Sequence, residues 1–248
     1  LSCVRREQIR RLALDLAQWD LLLRQAANAN MLVSLAYLLD DHGLADAVPE
    51  APRVHLEWAR LAASNHARGV RHEVARIRAA LSRLDVPLIL LKGSAYAMAG
   101  LDAGRGRLFS DVDILVPKPR LDEVEAALML HGWASTHLDP YDQRYYREWM
   151  HEIPPMVHVR RGNSIDVHHA ILPETAADRP DPDLLRAAAI PIAAEPGLFM
   201  LAPHDMFLHS AAHLFSGGEF DHGLRDLFDL HRLALQFGAV PGLDRKST

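Results

Sequence analysis

VPLILLKGSAYAMAGLDAGRGRLFSDVDILV, residues 86–116, is where the chain changes character. Val86 to Leu91 is a short, continuous apolar run, the pattern of a strand buried on both faces. It passes straight into Lys92-Gly93-Ser94, and Ala95 to Leu101 then suits a short helix. Asp102 to Arg107 is a loop with two glycines, and Leu108 to Val116 reads as a second strand closed by Pro117. Residues 119–131, PRLDEVEAALMLH, form an amphipathic helix that ends at Gly132. The stretch therefore predicts a compact strand–helix–strand–helix unit.

Towards the C-terminus, residues 133–138 read as a third strand, and 140–151, with three Tyr and a Trp, fits either helix or loop. Met156–Arg160 and Ser164–Ala170 flank Arg161-Gly162-Asn163, a hairpin turn. Beyond Pro173 lies a Pro/Asp-rich connection, then helices over 203–215 and 222–237 separated by Ser216-Gly217-Gly218. Towards the N-terminus, Leu12, Leu16, Trp19 and Leu23 recur at helical spacing within 4–40. Met31–Leu39 reads as a buried helix capped near Gly43, and 53–84 as one long helix whose many Arg residues make a solvated face. The expected organisation is a helical segment over 1–85, a core over 86–172 and a second helical segment over 173–248.

The composition narrows the class. About half of the 248 residues are apolar, enough for a core, and the net charge of −5 lacks the basic field of a general nucleic-acid binder. The single cysteine, Cys3, permits neither an internal disulfide nor a cysteine-based zinc site, which fits a reducing cytoplasm. No apolar run approaches the roughly 20 residues that span a bilayer, and the first residues lack a signal-peptide pattern.

The chemistry sits in Ser110-Asp111-Val112-Asp113-Ile114. On a strand, residues two apart share a face, so Asp111 and Asp113 stand side by side. Their apolar flanks argue against a solvated loop, and two such carboxylates stay charged together when a divalent cation lies between them. Hard oxygen ligands favour Mg2+ or Mn2+. Lys92-Gly93-Ser94 opens a helix after a buried strand, a place that suits phosphate, although the glycine spacing of a Walker loop is absent. Asp166, in Ile165-Asp166-Val167-His168, is a lone acid in an apolar, strand-like run.

These three elements, in this order, resemble the DNA polymerase beta-like nucleotidyltransferase superfamily. More narrowly, LKGSAYAMAG, RGRLFSDVDILV and SIDVHHAIL resemble an uncharacterised bacterial nucleotidyltransferase family with a Leu-Lys-Gly start and an Asp-x-His on its third strand. His209, His213 and Asp226-Leu227-Phe228-Asp229-Leu230 look like that family's helical part. The resemblance implies an α+β fold, a small mixed sheet flanked by N- and C-terminal helices. It implies transfer of an NMP from NTP (ATP or another) to a hydroxyl acceptor with release of pyrophosphate. In that picture Asp111, Asp113 and Asp166 are the metal ligands and catalytic acids, and Gly93 and Ser94 hold phosphates. Lys92, Arg105, Arg107 and His168 are further candidates for contact with the nucleotide. The acceptor, a small molecule, a protein or an RNA end, is left open, and neither long nucleic acid nor membrane is expected as a partner.

Two other classes stay in view: a regulatory protein that keeps the fold without turnover, and a His/Asp metal hydrolase using His168, His169, His209 and His213. His209 and His213 lie four apart on a helix, a spacing that serves packing as well as zinc. Tyr141, Tyr145, Tyr146 and Trp149 either stack on a substrate or form a packing face.

Overall fold

The computed structural model describes residues 14–177, 179–216 and 222–238. The expectations for Cys3, for the helical pattern before Leu14 and for the glycine break after Ser216 lie outside these residues.

Nine α-helices and seven strands are present among the described residues: α1 (Leu16–Asn28), α2 (Leu32–Asp41), α3 (Glu50–Leu81), α4 (Lys92–Ala99), α5 (Leu121–Leu130), α6 (Pro140–Trp149), α7 (Pro182–Ala187), α8 (Pro203–Ser216) and α9 (Gly223–Gly238). The strands are β1 (Leu88–Leu90), β2 (Asp111–Leu115), β3 (Trp133–Ser135), β4 (Met156–His158), β5 (Ser164–His168), β6 (Ile190–Pro191) and β7 (Leu198–Met200). They form one mixed sheet in the order β3-β4-β5-β2-β1-β7-β6. β1 is antiparallel to β2 and parallel to β7, and β2 is parallel to β5.

Local chemistry fixes the ends of these elements. Asp15 and Gln18 close a capping box at the start of α1. Asp139 caps α6 by accepting the Tyr141 N–H, with Pro140 at the first helical position. Gly100, at φ 66°, ends α4 in the left-handed conformation that costs glycine nothing.

The central strands are buried on both faces, Ile89, Leu90, Ile114, Leu115, Ile165 and Val167 being almost inaccessible. Leu56, Ala59, Ala63, Val70, Val74, Ile77 and Leu81 line the buried stripe of α3, and this helix packs against α2 and α5. Its arginines are exposed as expected, except that Arg60 is half-buried. Arg60 reaches both oxygens of Asp40 and the Ala36 carbonyl, and Arg71 pairs with Glu195.

Two expectations need correction. The connection after Pro173 contributes α7 and also β6 and β7, so the sheet extends beyond residue 172. The aromatic cluster of 140–151 lies on a helix, but α6 has no buried residue and its rings are not core. Tyr141 and Trp149 are exposed, and Tyr145 stacks on Tyr141 and meets Trp149 edge-on.

Candidate active site

Parallel pairing of β2 with β5 sets Asp113 opposite Asp166 and Asp111 opposite Ser164. Because side chains two apart share a strand face, Asp111, Asp113 and Asp166 converge. One carboxylate oxygen from each lies within 4.8 Å of the other two. The three acids expected from the sequence thus form one cluster.

Asp113 is almost fully buried, and its Oδ1 accepts two hydrogen bonds, from Lys92 Nζ at 2.9 Å and from His168 Nε2 at 3.0 Å. Burial pushes its pKa up, but the Lys92 ammonium and the His168 hydrogen bond outweigh it and hold the carboxyl below the usual carboxylate range. Burial likewise works against the Lys92 charge, yet Asp113 wins and raises the ammonium. Asp166 has no such partner. Burial first, then the charges of Asp113, Asp111 and Glu152, push it up to about 8, and its Oδ1 is buried without a hydrogen bond.

Lys92 reaches Asp113 from the first position of α4, with φ at 44°, a left-handed conformation uncommon for a residue with a side chain. Gly93 follows under the Phe109 ring and the Arg107 side chain: a Cβ there would lie 2.8 Å from Phe109 Cδ1 and 2.9 Å from Arg107 Nε. Ser94 is fully buried, and its hydroxyl donates to the Leu91 carbonyl at 2.8 Å. That hydroxyl is engaged within the turn, so the groups this turn offers to an anion are the backbone N–H groups that open α4.

The two loop arginines part company. Arg107 pairs with Asp226 and Asp229 of α9 and borders a small gap shared with Lys92, Tyr96, Ser210 and His213. Arg105 instead points to the N-terminal helices, 2.8 Å from Asp41 Oδ1 and above the Tyr37 ring. A cavity of about 250 Å³ opens beside Asp111, lined by His66, Glu73, Phe109, Asn163 and Ser164 among others.

A family model described as an uncharacterised nucleotidyltransferase matches residues 15–244. The chain belongs to this nucleotidyltransferase family. No curated protein matches it. Two solved structures are similar, both of ANT(2″)-Ia. The first is the solution structure of that antibiotic-resistance factor, with 17% identity and a TM-score of 0.49, covering 70% of this chain and 86% of the other. The second is the crystal structure of ANT(2″)-Ia in complex with adenylyl-2″-tobramycin, with 16% identity and a TM-score of 0.46, covering 68% and 89%.

This nucleotidyltransferase-family chain carries two side chains at the site that its motifs do not single out. Glu152 Oε2 lies 3.3 Å from His168 Nε2, and His151 stacks at a tilt on the His168 ring, 5.3 Å between centroids. Neither belongs to a recognisable spacing, since it is the return of the chain after α6 that brings them to β5. His169, next in sequence, is buried apart from the aspartates, and His209 is buried in α8. Among the described residues, His168, His169, His209 and His213 do not gather as a set of metal ligands. No described helix is long and apolar enough to cross a membrane.

Proposed function

We propose that this chain transfers an NMP from an NTP to a hydroxyl acceptor, with Asp111, Asp113 and Asp166 holding Mg2+ or Mn2+. The observation that carries the reading is the cluster itself: three carboxylates within 4.8 Å, one of them with a buried, unpaired oxygen. An all-oxygen donor set suits a hard divalent cation, and the crowding of like charges that raises Asp166 is relieved by one. When bound, such an ion neutralises charge on the triphosphate and makes the acceptor hydroxyl easier to deprotonate.

In this reading the N–H groups opening α4 hold phosphate oxygens, and the missing side chain of Gly93 leaves room for Phe109 and Arg107 beside them. Lys92 and Arg107 offset charge on the departing pyrophosphate. The acceptor oxygen forms a bond to the α-phosphorus, the bond from that phosphorus to the bridging oxygen breaks, and Asp166 takes the acceptor's proton. His168 keeps Asp113 ionised and in place. Arg105, committed to Asp41, acts on the loop rather than on the nucleotide. The three-part division at 85/86 and 172/173 enters here as a proposal, with residues 173–248 adding β6 and β7 to the core sheet as well as helices. The net charge of −5 favours a small, protein or short RNA acceptor over long nucleic acid, and the cytoplasm would supply both NTP and magnesium.

Calorimetric titration of each NTP in magnesium, with wild type and Asp111→Ala/Asp113→Ala, tests the proposal. Magnesium-dependent binding that the double variant loses is the expected result. Folded wild type that binds no NTP with either ion would overturn it and leave a non-catalytic protein on the same fold.

A further inference from the structure

One face of α9 grips the loop that carries Arg107. Asp226, Asp229, Arg232 and Gln236 recur at spacings of three, three and four, which sets them on the same side of the helix. Gln236 Oε1 accepts the Asp102 N–H at 3.0 Å, and Arg232 Nη1 donates to the carbonyls of Asp102 and Arg105 at 2.7 and 2.8 Å. Closer to the start of α9, Asp229 and Asp226 pair with Arg107 itself. Asp226 also accepts from Arg225 Nε at 2.9 Å. Two guanidinium groups thus face two carboxylates, and these four charges balance without a ligand.

The two acids occupy only one edge of Arg107. Both ion pairs are made by Nη1. Nε lies on the opposite edge of the planar guanidinium, and it is buried without a hydrogen-bond partner among the described residues. The side chain is 10% exposed, so water does little for this N–H. Nε sits over Gly93, 2.9 Å from where a Cβ would stand, and therefore over the first turn of α4. The Tyr96 ring, 5.6 Å from the guanidinium carbon, backs the group from α4. A buried N–H of a charged group is costly to leave unpaired, and an anion's oxygen satisfies it. The Nε edge also carries a parallel Nη2–H, the fork that meets a phosphate with two bonds.

We infer that Asp226 and Asp229 are positioning residues for the nucleotide: they clamp Nη1 so that the Nε edge of Arg107 meets phosphate at the start of α4. The inference rests on the transfer reading, in which phosphate enters there. Because the α-phosphorus reacts at the three aspartates, the phosphates left for Arg107 are the outer two, which depart as pyrophosphate. An arginine held in place before the ligand arrives loses little side-chain freedom on binding it. α9 thereby belongs to the nucleotide site, although it contributes no group that touches the nucleotide.

The test titrates the full chain with inorganic pyrophosphate in magnesium, and separately with each NTP, by calorimetry. Wild type should bind pyrophosphate, and Asp229→Asn and Arg107→Met should each bind it roughly tenfold or more weakly. Arg107→Met/Asp229→Asn should bind no more weakly than Arg107→Met alone, since the acid acts through the arginine. A purely structural role for Asp229 would instead add its own loss in the double variant. Asp226→Asn carries the same comparison if Asp229→Asn does not fold. Pyrophosphate binding that the acid variant leaves intact, or losses that add, would overturn the inference and leave the transfer reading standing. Folded wild type that binds neither pyrophosphate nor any NTP would overturn both.

Discussion

Asp113 is ionised in the interior because Lys92 and His168 share one of its oxygens. Removing one side of such a buried pair leaves the other uncompensated, at a cost of about 3–5 kcal/mol. Lys92→Met should therefore lower stability by that order in a denaturant melt, and Lys92→Met/Asp113→Asn should be no less stable than the single variant. If the double variant loses stability additively, the two groups are not coupled as described. Asp166 is the reverse case. Its pKa in the folded chain, about 8, lies above the ordinary 3.8, so the metal-free fold holds a proton that the unfolded chain releases. Stability then falls as pH rises from about 4 to about 8 and is level beyond. In chelator, Asp166→Asn should be more stable than wild type by a margin that grows across that window, while any transfer activity falls by about 10²–10³. A margin that does not change with pH would remove the crowding argument. Asp111 and Asp113 were legible as a pair from their spacing, and Asp166 from its apolar company. That Asp166 stands directly across from Asp113 was not, because register between distant strands leaves no local mark.

The turn from β1 into α4 brings Lys92 to Asp113, and it does so through a lysine at positive φ followed by a glycine with no room for a side chain. Gly93→Ala forces a methyl against Phe109 and Arg107, so it should cost roughly 1–3 kcal/mol by overpacking. Because Phe109 and Arg107 flank the α4 N-terminus, nucleotide affinity should fall with it. The same substitution at Gly162, where a Cβ meets nothing within 4 Å but φ is 73°, tests backbone strain alone and should leave nucleotide binding intact. Equal binding loss in both would point to general destabilisation. The sequence announced this turn, the hairpin at 161–163 and most helices, since each has apolar periodicity or a glycine stop. It did not announce β6 and β7, which are two and three residues long and set among Pro191, Pro196 and Gly197. Strands that short have no alternation to read. α6 was undecided for a related reason: none of its residues is buried, so it has no apolar stripe in the core.

At the scale of the molecule, histidines from several separate elements favour the neutral form. Burial lowers His66, His151, His169, His209 and His213, His151 to about 3 and His169 to about 4, with neighbouring positive groups such as Lys92 adding to the effect at His151, His209 and His213. Each binds a proton more readily unfolded, at the ordinary 6.5, than folded, so each destabilises the fold as pH falls below 6.5. The limiting slope is about 1.4 kcal/mol per pH unit for each histidine. Asp166 acts in the opposite sense over the same range, but it is one group against five. Above 6.5 the histidines are neutral in both states and Asp166 alone still titrates. The two effects together predict that the metal-free chain is most stable near pH 6.5, with a steep decline on the acid side and a shallower one up to about 8. Melting temperatures in chelator across this range measure both limbs. His209→Asn should flatten the acid limb and Asp166→Asn the alkaline one, each leaving the other in place. A melting temperature that stays constant from pH 6.5 down to about 4 would mean the histidines are solvated in the folded chain, contrary to the burial of His169 and His209.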